Sequence, residues 1–211
     1  GHARVVIDIA SGHKDITIAA IVDNDPSLQG TCLDDIFVVG SDSVLFDLHR
    51  DGISHAALGV GALRQNRIDL HYRQVLFEEV KQVGFDMVNL IHQSASVAKS
   101  VEMGCGILIG AQAVVNPGVK VGDNVVINTG VLVDHDCRVG NHVQLAPGSV
   151  LAGNVEVGEK AHIGAGATII QSMRIGNKAV VAAGAVVIND VPDGTTVMGV
   201  PARIVNAKYN S

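Results

Sequence analysis

The sequence contains few aromatic residues and few charges. Phe, Tyr and Trp make up 3% of its 211 residues, Trp is absent, and charged residues account for only 17%. A core must therefore be built from Val, Ile, Leu and Ala. No run of Lys and Arg exists and the formal net charge is -6, which argues against binding to nucleic-acid phosphates or to an anionic membrane surface. The hydrophobic content of 47% excludes disorder.

Cysteines and apolar runs are also sparse. Cys32, Cys105 and Cys137 are odd in number and show no paired spacing, so they predict reduced thiols and neither a disulfide framework nor a zinc site. The opening residues contain no apolar segment of the signal-peptide kind. A long uncharged stretch, Met103 to Val119, contains Gly, Gln, Asn and Pro and is a poor membrane span. We expect a cytoplasmic protein that binds no nucleic acid and inserts in no membrane.

Glycine is abundant, at 24 residues, and the second half of the chain repeats every six residues. An aliphatic residue stands at every sixth position through seventeen consecutive hexads. A small or β-branched residue usually stands two positions earlier, and Gly, Ala, Asn or Asp usually follows. The aliphatic positions are Ile91, Val97, Met103, Ile109, Val115, Val121, Ile127, Val133, Val139, Leu145, Leu151, Val157, Ile163, Ile169, Ile175, Val181 and Val187.

A period of six fits neither a helix, with 3.6 residues per turn, nor a half-buried strand, with a period of two. It fits a short strand followed by a tight turn, with small residues where the chain bends. Three such units would form an 18-residue coil of triangular cross-section, and neighbouring coils would pair through parallel strands about 4.8 Å apart. The predicted fold class is mainly β, a parallel β-helix of five to six coils preceded by a small α/β domain.

The residues before the repeat alternate between helix-like and strand-like runs. We predict helices over 4–10, 43–49 and 63–83, and strands over 16–22, 37–40 and 56–61. Gly84 is expected to end the last helix. Such alternation predicts a small parallel sheet that binds ligands at the carboxyl ends of its strands. Asp23 and the loop Gly59-Val60-Gly61 lie there and favour a nucleotide, with a βαβ packing module as the alternative.

Among nine histidines, His135 has the sequence context of a catalytic base. It lies two residues beyond the inward Val133, at a coil corner, between Asp134 and Asp136. A neighbouring carboxylate fixes the tautomer of a histidine base and stabilises its imidazolium. Eighteen residues later the same column holds Gly153, which would leave a slot for a thioester beside the imidazole. Spacing alone leaves a surface turn histidine as an equal alternative.

The other histidines have simpler explanations. Three of them are expected on solvated faces, and these are His49, His55 and His71. Three more fall at turns or outward positions of hexads with no carboxylate nearby in sequence, and these are His92, His142 and His162.

The repeat resembles that of the hexapeptide-repeat acyltransferases, which form a left-handed parallel β-helix. Gly1-His2-Ala3-Arg4-Val5-Val6 resembles the end of a Gly-Gly-His-Ala motif of nucleotide-sugar acetyltransferases from bacillosamine, perosamine and sialic-acid pathways. The segment 128–137, Asn-Thr-Gly-Val-Leu-Val-Asp-His-Asp-Cys, resembles the active-site segment of the same family. A strand and further glycines precede the first motif in that family, so the first strand is expected to be truncated or absent here.

The resemblance implies acetyl-CoA-dependent N-acetylation of the 4-amino group of a nucleotide-linked 4-amino-4,6-dideoxy sugar, without a metal, in a homotrimer with sites between protomers. His135 would be the general base and Asp136 its carboxylate partner. The implied substrate-binding residues are His2, Asp23, Gly59, Arg64, Asn128 and Gln144, the last where the family often has a second histidine. The implied cofactor-binding residues are Gly153, Ala165, Gly166, Ala183, Gly184, Pro201 and Arg203. Residues 1–87 would bind the nucleotide sugar, 88–190 would form the β-helix, and 191–211 a C-terminal cap.

Three alternatives stay open at this point. The same resemblance covers sialic-acid O-acetyltransferases, and His135 does not reveal the acceptor atom. A non-catalytic trimeric nucleotide-sugar-binding scaffold would explain Gln144 in place of a histidine. A zinc enzyme of the carbonic anhydrase type is disfavoured, because spacings of 7 and 20 residues put His135, His142 and His162 on different corners.

Overall fold

The six-residue repeat folds into seventeen two-residue strands, one for each hexad. The computed structural model describes residues 1–61, 63–64 and 67–205, and at 63, 64, 67, 68 and 70 it describes the backbone alone. Each of these strands pairs in parallel with the strand 18 residues away, as Leu108 does with Val126 and Leu132 with Val150. The strands therefore stack into three sheets that form the sides of a triangular prism.

The three sheets are named here faces I, II and III. Face I contains β8 Leu90–Ile91, β11 Leu108–Ile109, β14 Val126–Ile127, β17 Gln144–Leu145, β20 His162–Ile163, β23 Val180–Val181, β25 Thr196–Met198 and β26 Arg203–Val205. Face II contains β9 Ser96–Val97, β12 Val114–Val115, β15 Leu132–Val133, β18 Val150–Leu151, β21 Thr168–Ile169 and β24 Val186–Val187. Face III contains β10 Glu102–Met103, β13 Lys120–Val121, β16 Arg138–Val139, β19 Glu156–Val157 and β22 Arg174–Ile175.

The core runs along the prism axis and consists of Val, Ile, Leu and Ala with Cys137. From Ile109 to Val187 the aliphatic residue of each hexad is at most 5% exposed. In the first coil Ile91 and Val97 are half-buried and Met103 is 37% exposed, because that coil has a neighbour on one side only. The predicted period and the predicted fold class are both confirmed.

The chain turns at three corners, each with its own chemistry. The corner between faces II and III holds His135 and Asp136 and is called the histidine corner. The corner between faces III and I holds Asn124 and His142 and is called the α3 corner, after the helix α3 Leu70–Val83 whose Phe77 packs there. The corner between faces I and II is called the glycine corner, because four successive coils turn there through Gly130, Gly148, Gly166 and Gly184, with φ from 65° to 69°.

Before the repeat, the described residues form three α-helices and seven short strands. The helices are α1 His2–Ser11, α2 Leu45–Arg50, which follows a 3-10 turn at Asp42–Val44, and α3 Leu70–Val83. The strands are β1 Ile21–Val22, β2 Cys32–Leu33, β3 Ile36–Gly40, β4 His55–Ala56, β5 Leu63–Arg64, β6 Arg67–Ile68 and β7 Asp86–Met87. No helix in the described ranges is long and apolar enough to cross a membrane.

The predicted helix over 63–83 is wrong at its start. Residues 63–64 pair with 67–68 in an antiparallel ladder, and the helix begins only after Asp69, whose carboxylate accepts a hydrogen bond from the Tyr72 N–H at 3.0 Å. This N-cap satisfies a backbone donor that the first helical turn leaves without a partner. The helix ends as predicted at Gly84, whose φ of 116° is left-handed.

The single parallel sheet predicted before the repeat is also wrong. β3 pairs in parallel with β1 and antiparallel with β2, while β4 and β7 form a separate parallel pair. The strands predicted over 16–22 and 56–61 shorten to Ile21–Val22 and His55–Ala56. Ile16, Ile18 and Val88 instead pack on the α1 side of face I, so their apolar side chains are used without a sheet.

The N-terminal helices cover one side of the prism. Val6, Ile9 and Ala10 of α1 pack on the outer surface of face I. Phe77 of α3 packs edge-on against His142 at the α3 corner, with ring centroids 5.7 Å apart. In a triangular section the histidine corner lies opposite face I. His135 and α1 therefore lie on opposite sides of the same protomer. Each side of the triangle is six residues of extended chain and spans at most about 20 Å.

The stacking of coils predicts that alanine substitution at two glycines of one turn lowers the free energy of unfolding by very different amounts. A Cβ on Gly164 would lie 2.5 Å from the backbone nitrogen of Ala183 in the next coil, so we expect Gly164→Ala to lower the free energy of unfolding by about 3 kcal/mol or more. Gly166, two residues later, faces open space at a φ of +65°, and Gly166→Ala should lower it by only about 1–2 kcal/mol. Urea unfolding followed by circular dichroism measures both, and equal losses would contradict the close stacking.

Candidate active site

The histidine corner presents a His–Asp pair to solvent. His135 and Asp136 follow β15, and their side chains are 61% and 66% exposed. Asp136 Oδ2 lies 2.8 Å from His135 Nδ1. Because a carboxylate can only accept a hydrogen bond, Nδ1 carries the proton and the Nε2 lone pair is left free. This arrangement can remove a proton from an incoming nucleophile.

Neighbouring coils hold this turn in place. Asp134 Oδ1 accepts a hydrogen bond from the His135 N–H and another from Asn116 Nδ2, both at 2.8 Å. Asp136 takes the left-handed φ of 60°, and its N–H donates to the Pro117 carbonyl at 3.1 Å. The coil before His135 therefore fixes the residues on both sides of the imidazole.

Gly153, one coil later, lies directly against the imidazole. A Cβ on Gly153 would lie 2.7 Å from His135 Nε2, so a larger residue would displace the ring. The expectation of an empty slot for a thioester at this glycine is therefore wrong, because the ring itself occupies the space. The absence of a side chain at position 153 serves to seat the histidine.

The surrounding groups raise the pKa of His135. The hydrogen bond to Asp136 contributes most and the negative charge of Asp134 comes next. The same contacts lower the pKa of Asp134, through its hydrogen bonds from Asn116 and from the His135 backbone. The corner thus holds a strengthened base beside carboxylates.

The expected cofactor residues fall at two corners of one protomer. Gly153 belongs to the histidine corner, whereas Ala165, Gly166, Ala183 and Gly184 form two successive steps of the glycine corner. A Cβ on Gly166 or Gly184 would meet no atom within 4 Å, so the glycine corner offers an open strip. The whole width of face II separates this strip from His135.

The C-terminal residues close the end of face II. The Ala202 N–H donates to the Val186 carbonyl at 2.7 Å, which seats Pro201 and Arg203 above the last step of the glycine corner. The Val200–Pro201 peptide bond is cis, and Arg203 is exposed on β26.

Two of the expected substrate residues come together at the first turn of α1. A Cβ on Gly59 would lie 3.1 Å from the Cβ of Ala3, and one on Gly61 would lie 3.5 Å from the Cβ of His2. Burial, with a smaller effect of the Arg73 charge, lowers the pKa of His2 to about 4. Asp23 lies separately after β1, where its Oδ1 accepts a hydrogen bond from the Asp25 N–H at 2.9 Å. Arg64 lies in β5, and its side chain is outside the described residues.

The remaining two expected substrate residues lie on face I and next to it. Asn128 Nδ2 donates to the Leu145 carbonyl at 3.2 Å. Gln144 is 6% exposed, and its Oε1 has no hydrogen-bond partner within the described residues. Its neighbour in the next coil is His162, whose pKa burial lowers to about 4. Both Asn128 and Gln144 are far from the histidine corner of their own protomer.

Two histidines expected to be simple surface groups are engaged in packing. His49 lies edge-on against Phe85, with ring centroids 5.1 Å apart. His142 contacts Phe77, and its Nδ1 lies 3.0 Å from Asn124 Nδ2. Both contacts bring the N-terminal helices to residues far away in sequence, which the local pattern cannot reveal.

Arg73 is the residue near the expected site that sequence reasoning missed. It is 2% exposed, and its Nη1 donates to the carbonyls of Val60 and, at 3.4 Å, Leu58. A sequence signal exists, because Arg73 precedes the buried Leu76 and Phe77 by three and four residues and so lies on the apolar stripe of α3.

A groove of about 480 Å³ runs along face III, away from the expected site residues. None of the expected site residues lines this groove. Charged side chains of successive coils line it, including Glu102, Lys120, Arg138, Glu156 and Arg174. Within the described part of the chain, no group of three His, Cys, Asp or Glu side chains is placed to hold a metal ion. The expected base, His135, lies outside this groove.

Comparison with known proteins identifies the repeat and the family. A model of the bacterial transferase hexapeptide (six repeats) matches residues 136–171, and a model of the hexapeptide repeat of succinyl-transferase matches 100–135. GDP-perosamine N-acetyltransferase from Caulobacter crescentus, as a histidine-to-alanine mutant in complex with CoA and GDP-perosamine, superposes with a TM-score of 0.90 at 40% identity, over 98% of this chain and 93% of that one.

Two further solved structures cover nearly the whole chain. The acetyltransferase domain of PglB from Neisseria gonorrhoeae, in complex with acetyl coenzyme A, has a TM-score of 0.88 and 33% identity over 97% of this chain and 95% of its own. WeeI from Acinetobacter baumannii has a TM-score of 0.81 and 27% identity over the same shares. No match was found among curated protein sequences.

The His–Asp geometry predicts that the pKa of His135 depends on Asp136. In the wild type, His135 should titrate above the ordinary value of 6.5, so at a given pH more of it is protonated. Asp136→Asn removes the negative charge and keeps a residue that tolerates positive φ, and we expect the pKa of His135 to fall. Titration of the imidazole by NMR measures it, with Asp25→Asn as an exposed control. An unchanged pKa in Asp136→Asn would refute the pairing.

Proposed function

Because the chain belongs to the hexapeptide-repeat nucleotide-sugar acetyltransferases, which share the left-handed parallel β-helix, we propose that it transfers the acetyl group of acetyl-CoA to a sugar amine. The acceptor is the 4-amino group of a nucleotide-linked 4-amino-4,6-dideoxy sugar. The observation that carries the proposal is the exposed His135–Asp136 pair with a free Nε2. The relative at 40% identity was crystallised with GDP-perosamine, which makes a GDP-linked sugar the first acceptor to test.

The proposed reaction uses the groups at the histidine corner. The sugar amine attacks the thioester carbonyl carbon while His135 Nε2 accepts the amine proton. The negative charge that develops on the carbonyl oxygen is stabilised by the backbone N–H of Gly153. The C–S bond then breaks, and the CoA thiolate leaves with the proton returned by the imidazolium. Asp136 holds the imidazole in orientation and stabilises its charged form.

A single protomer does not bring these groups together, and this supports a site between protomers. His135 lies at one edge of face II and the open glycine strip at the other. A threefold ring with face II toward its axis would place the histidine corner of one protomer beside the glycine corner of the next. The outer residues of face II support this packing, since several are apolar and only half-buried, namely Val114, Leu132, Val150 and Val186.

In such a homotrimer each part of the chain has a role. Residues 1–87 hold the nucleotide sugar through His2, Asp23, Gly59 and Arg64, and residues 88–190 carry the base and the cofactor strip. The cap predicted over 191–211 is described up to residue 205, the remainder lying outside the described residues, and in it Pro201 and Arg203 meet the coenzyme. Asn128 and Gln144 contact the acceptor. We place the reaction in the cytoplasm, in keeping with three free thiols.

Replacement of the base tests the chemistry. We expect His135→Ala to lower kcat by about 100- to 10,000-fold, with trimer mass and CoA binding retained. His55→Ala, which removes an exposed histidine bonded to Ser54 Oγ at 2.8 Å, should be neutral. The measurement is thiol release from acetyl-CoA with GDP-, UDP- and dTDP-linked 4-amino-4,6-dideoxy sugars.

The same assay distinguishes the other functions. Release with a sialic-acid acceptor alone would assign O-acetylation. Full activity in His135→Ala would remove this residue from the reaction, and binding without turnover in the wild type would indicate a scaffold.

Mixing two inactive variants tests whether the site lies between protomers. His135→Ala keeps the glycine corner, and Ala165→Trp blocks that corner at an exposed position while keeping His135. The two variants are co-expressed in equal amounts with different tags. About a quarter of the wild-type activity should return, because an intact histidine corner then meets an intact glycine corner at about a quarter of the interfaces. If one protomer forms the whole site, no mixed trimer contains an intact one and activity stays at the level of the separate variants.

A further inference from the structure

Arg73 is a buried cation without an anionic partner. Its side chain is 2% exposed, and within the described residues no carboxylate forms an ion pair with it. Burial lowers its pKa to about 10, which still leaves the guanidinium charged at neutral pH. An unpaired buried charge costs several kcal/mol in folding. Its position in a stable helix therefore needs an explanation.

The guanidinium lies directly beside the Gly59 loop. Nη1 donates to the carbonyls of Leu58 and Val60, which flank Gly59, while Nε is buried and makes no hydrogen bond within the described residues. The other side of the loop packs on Ala3 and His2, in the first turn of α1. After burial, the Arg73 charge is the next cause that lowers the pKa of His2.

Three features of this region favour an anion. The unpartnered Arg73 Nε, the buried and unpartnered His2 Nε2, and the start of the ten-residue helix α1, which no side chain caps, all contribute positive potential or donors. Hydrogen bonds to two carbonyls do not in themselves require a charged donor. The positive charge itself is therefore the feature that points to a ligand.

We infer that Arg73 is a positioning residue for the nucleotide sugar, holding the 58–61 loop in shape and drawing the diphosphate of the acceptor to it. This inference rests on the proposed function, which supplies the nucleoside diphosphate. Arg73 acts through the loop and through its charge, and it makes no contact with the reacting atoms. The inference thus gives a role in the N-terminal segment to a cation that the sequence motifs did not single out.

The test compares the binding of the nucleoside diphosphate part of the acceptor with the binding of its uncharged nucleoside. Calorimetry measures the binding of GDP, UDP and dTDP and of the matching nucleosides to the full chain. Arg73→Gln keeps a donor for the loop carbonyls and removes the charge, so it should weaken the best diphosphate by on the order of 30-fold and leave its nucleoside nearly unchanged. Arg73→Lys should restore most of the diphosphate affinity. Lys81→Met, which removes an exposed cation from the same helix, should change neither.

Kinetics and a titration separate positioning from a purely structural role. In Arg73→Gln the KM for the nucleotide sugar should rise, while kcat and the KM for acetyl-CoA stay at wild-type values. NMR titration should show a higher pKa for His2, since a nearby positive charge is gone. Equal weakening of nucleoside and diphosphate, or no weakening, would overturn the inference. If the wild type binds no nucleoside diphosphate and acetylates no nucleotide sugar, the proposed function itself fails.

Discussion

Close backbone contact between successive coils controls this structure. A Cβ on Gly110, Gly140 or Gly158 would lie 2.6–2.9 Å from a backbone nitrogen in the next coil, so these positions exclude any side chain. The coils therefore approach to hydrogen-bonding distance along all three faces, and the strands from Leu90 to Val187 pair at a spacing of 18 residues. With this spacing, a residue within the repeat stacks on the residues 18 positions earlier and 18 positions later in the sequence.

The His–Asp pair depends on this register. Asn116 and Asp134 are 18 residues apart, and so are Gly118 and Asp136, and His135 and Gly153. Two neighbouring coils thus orient the side chain that would act as the base, although the corner itself is open to water. Parallel strand pairing in this way fixes the support of a reactive group on a surface turn from both neighbouring coils.

The β-helix could be predicted from the sequence because its fold is a local rule repeated seventeen times. Counting by 18 places His135 and Gly153 in one column, whereas the choice of Asp136 as the carboxylate partner came from the family resemblance. The N-terminal part follows no such rule: its apolar residues are buried by face I and not by a continuous sheet, so Ile16 and Ile18 were misread as part of a long strand. Asp69 was not recognised as an N-cap, and Arg73 was missed because its partners, Leu58 and Val60, lie in a loop that local periodicity does not describe.

The register also divides the prism into equal steps of one coil each. Inserting or deleting one 18-residue coil leaves every column and corner intact, yet moves His135 by about 4.8 Å along the axis relative to the helices that cover face I. The fold can therefore change length during evolution in whole steps without loss of packing. Under the proposed function the base keeps fixed distances to the sugar site near α1 and to the open strip at Gly166 and Gly184, so chemistry fixes the number of coils on both sides of His135.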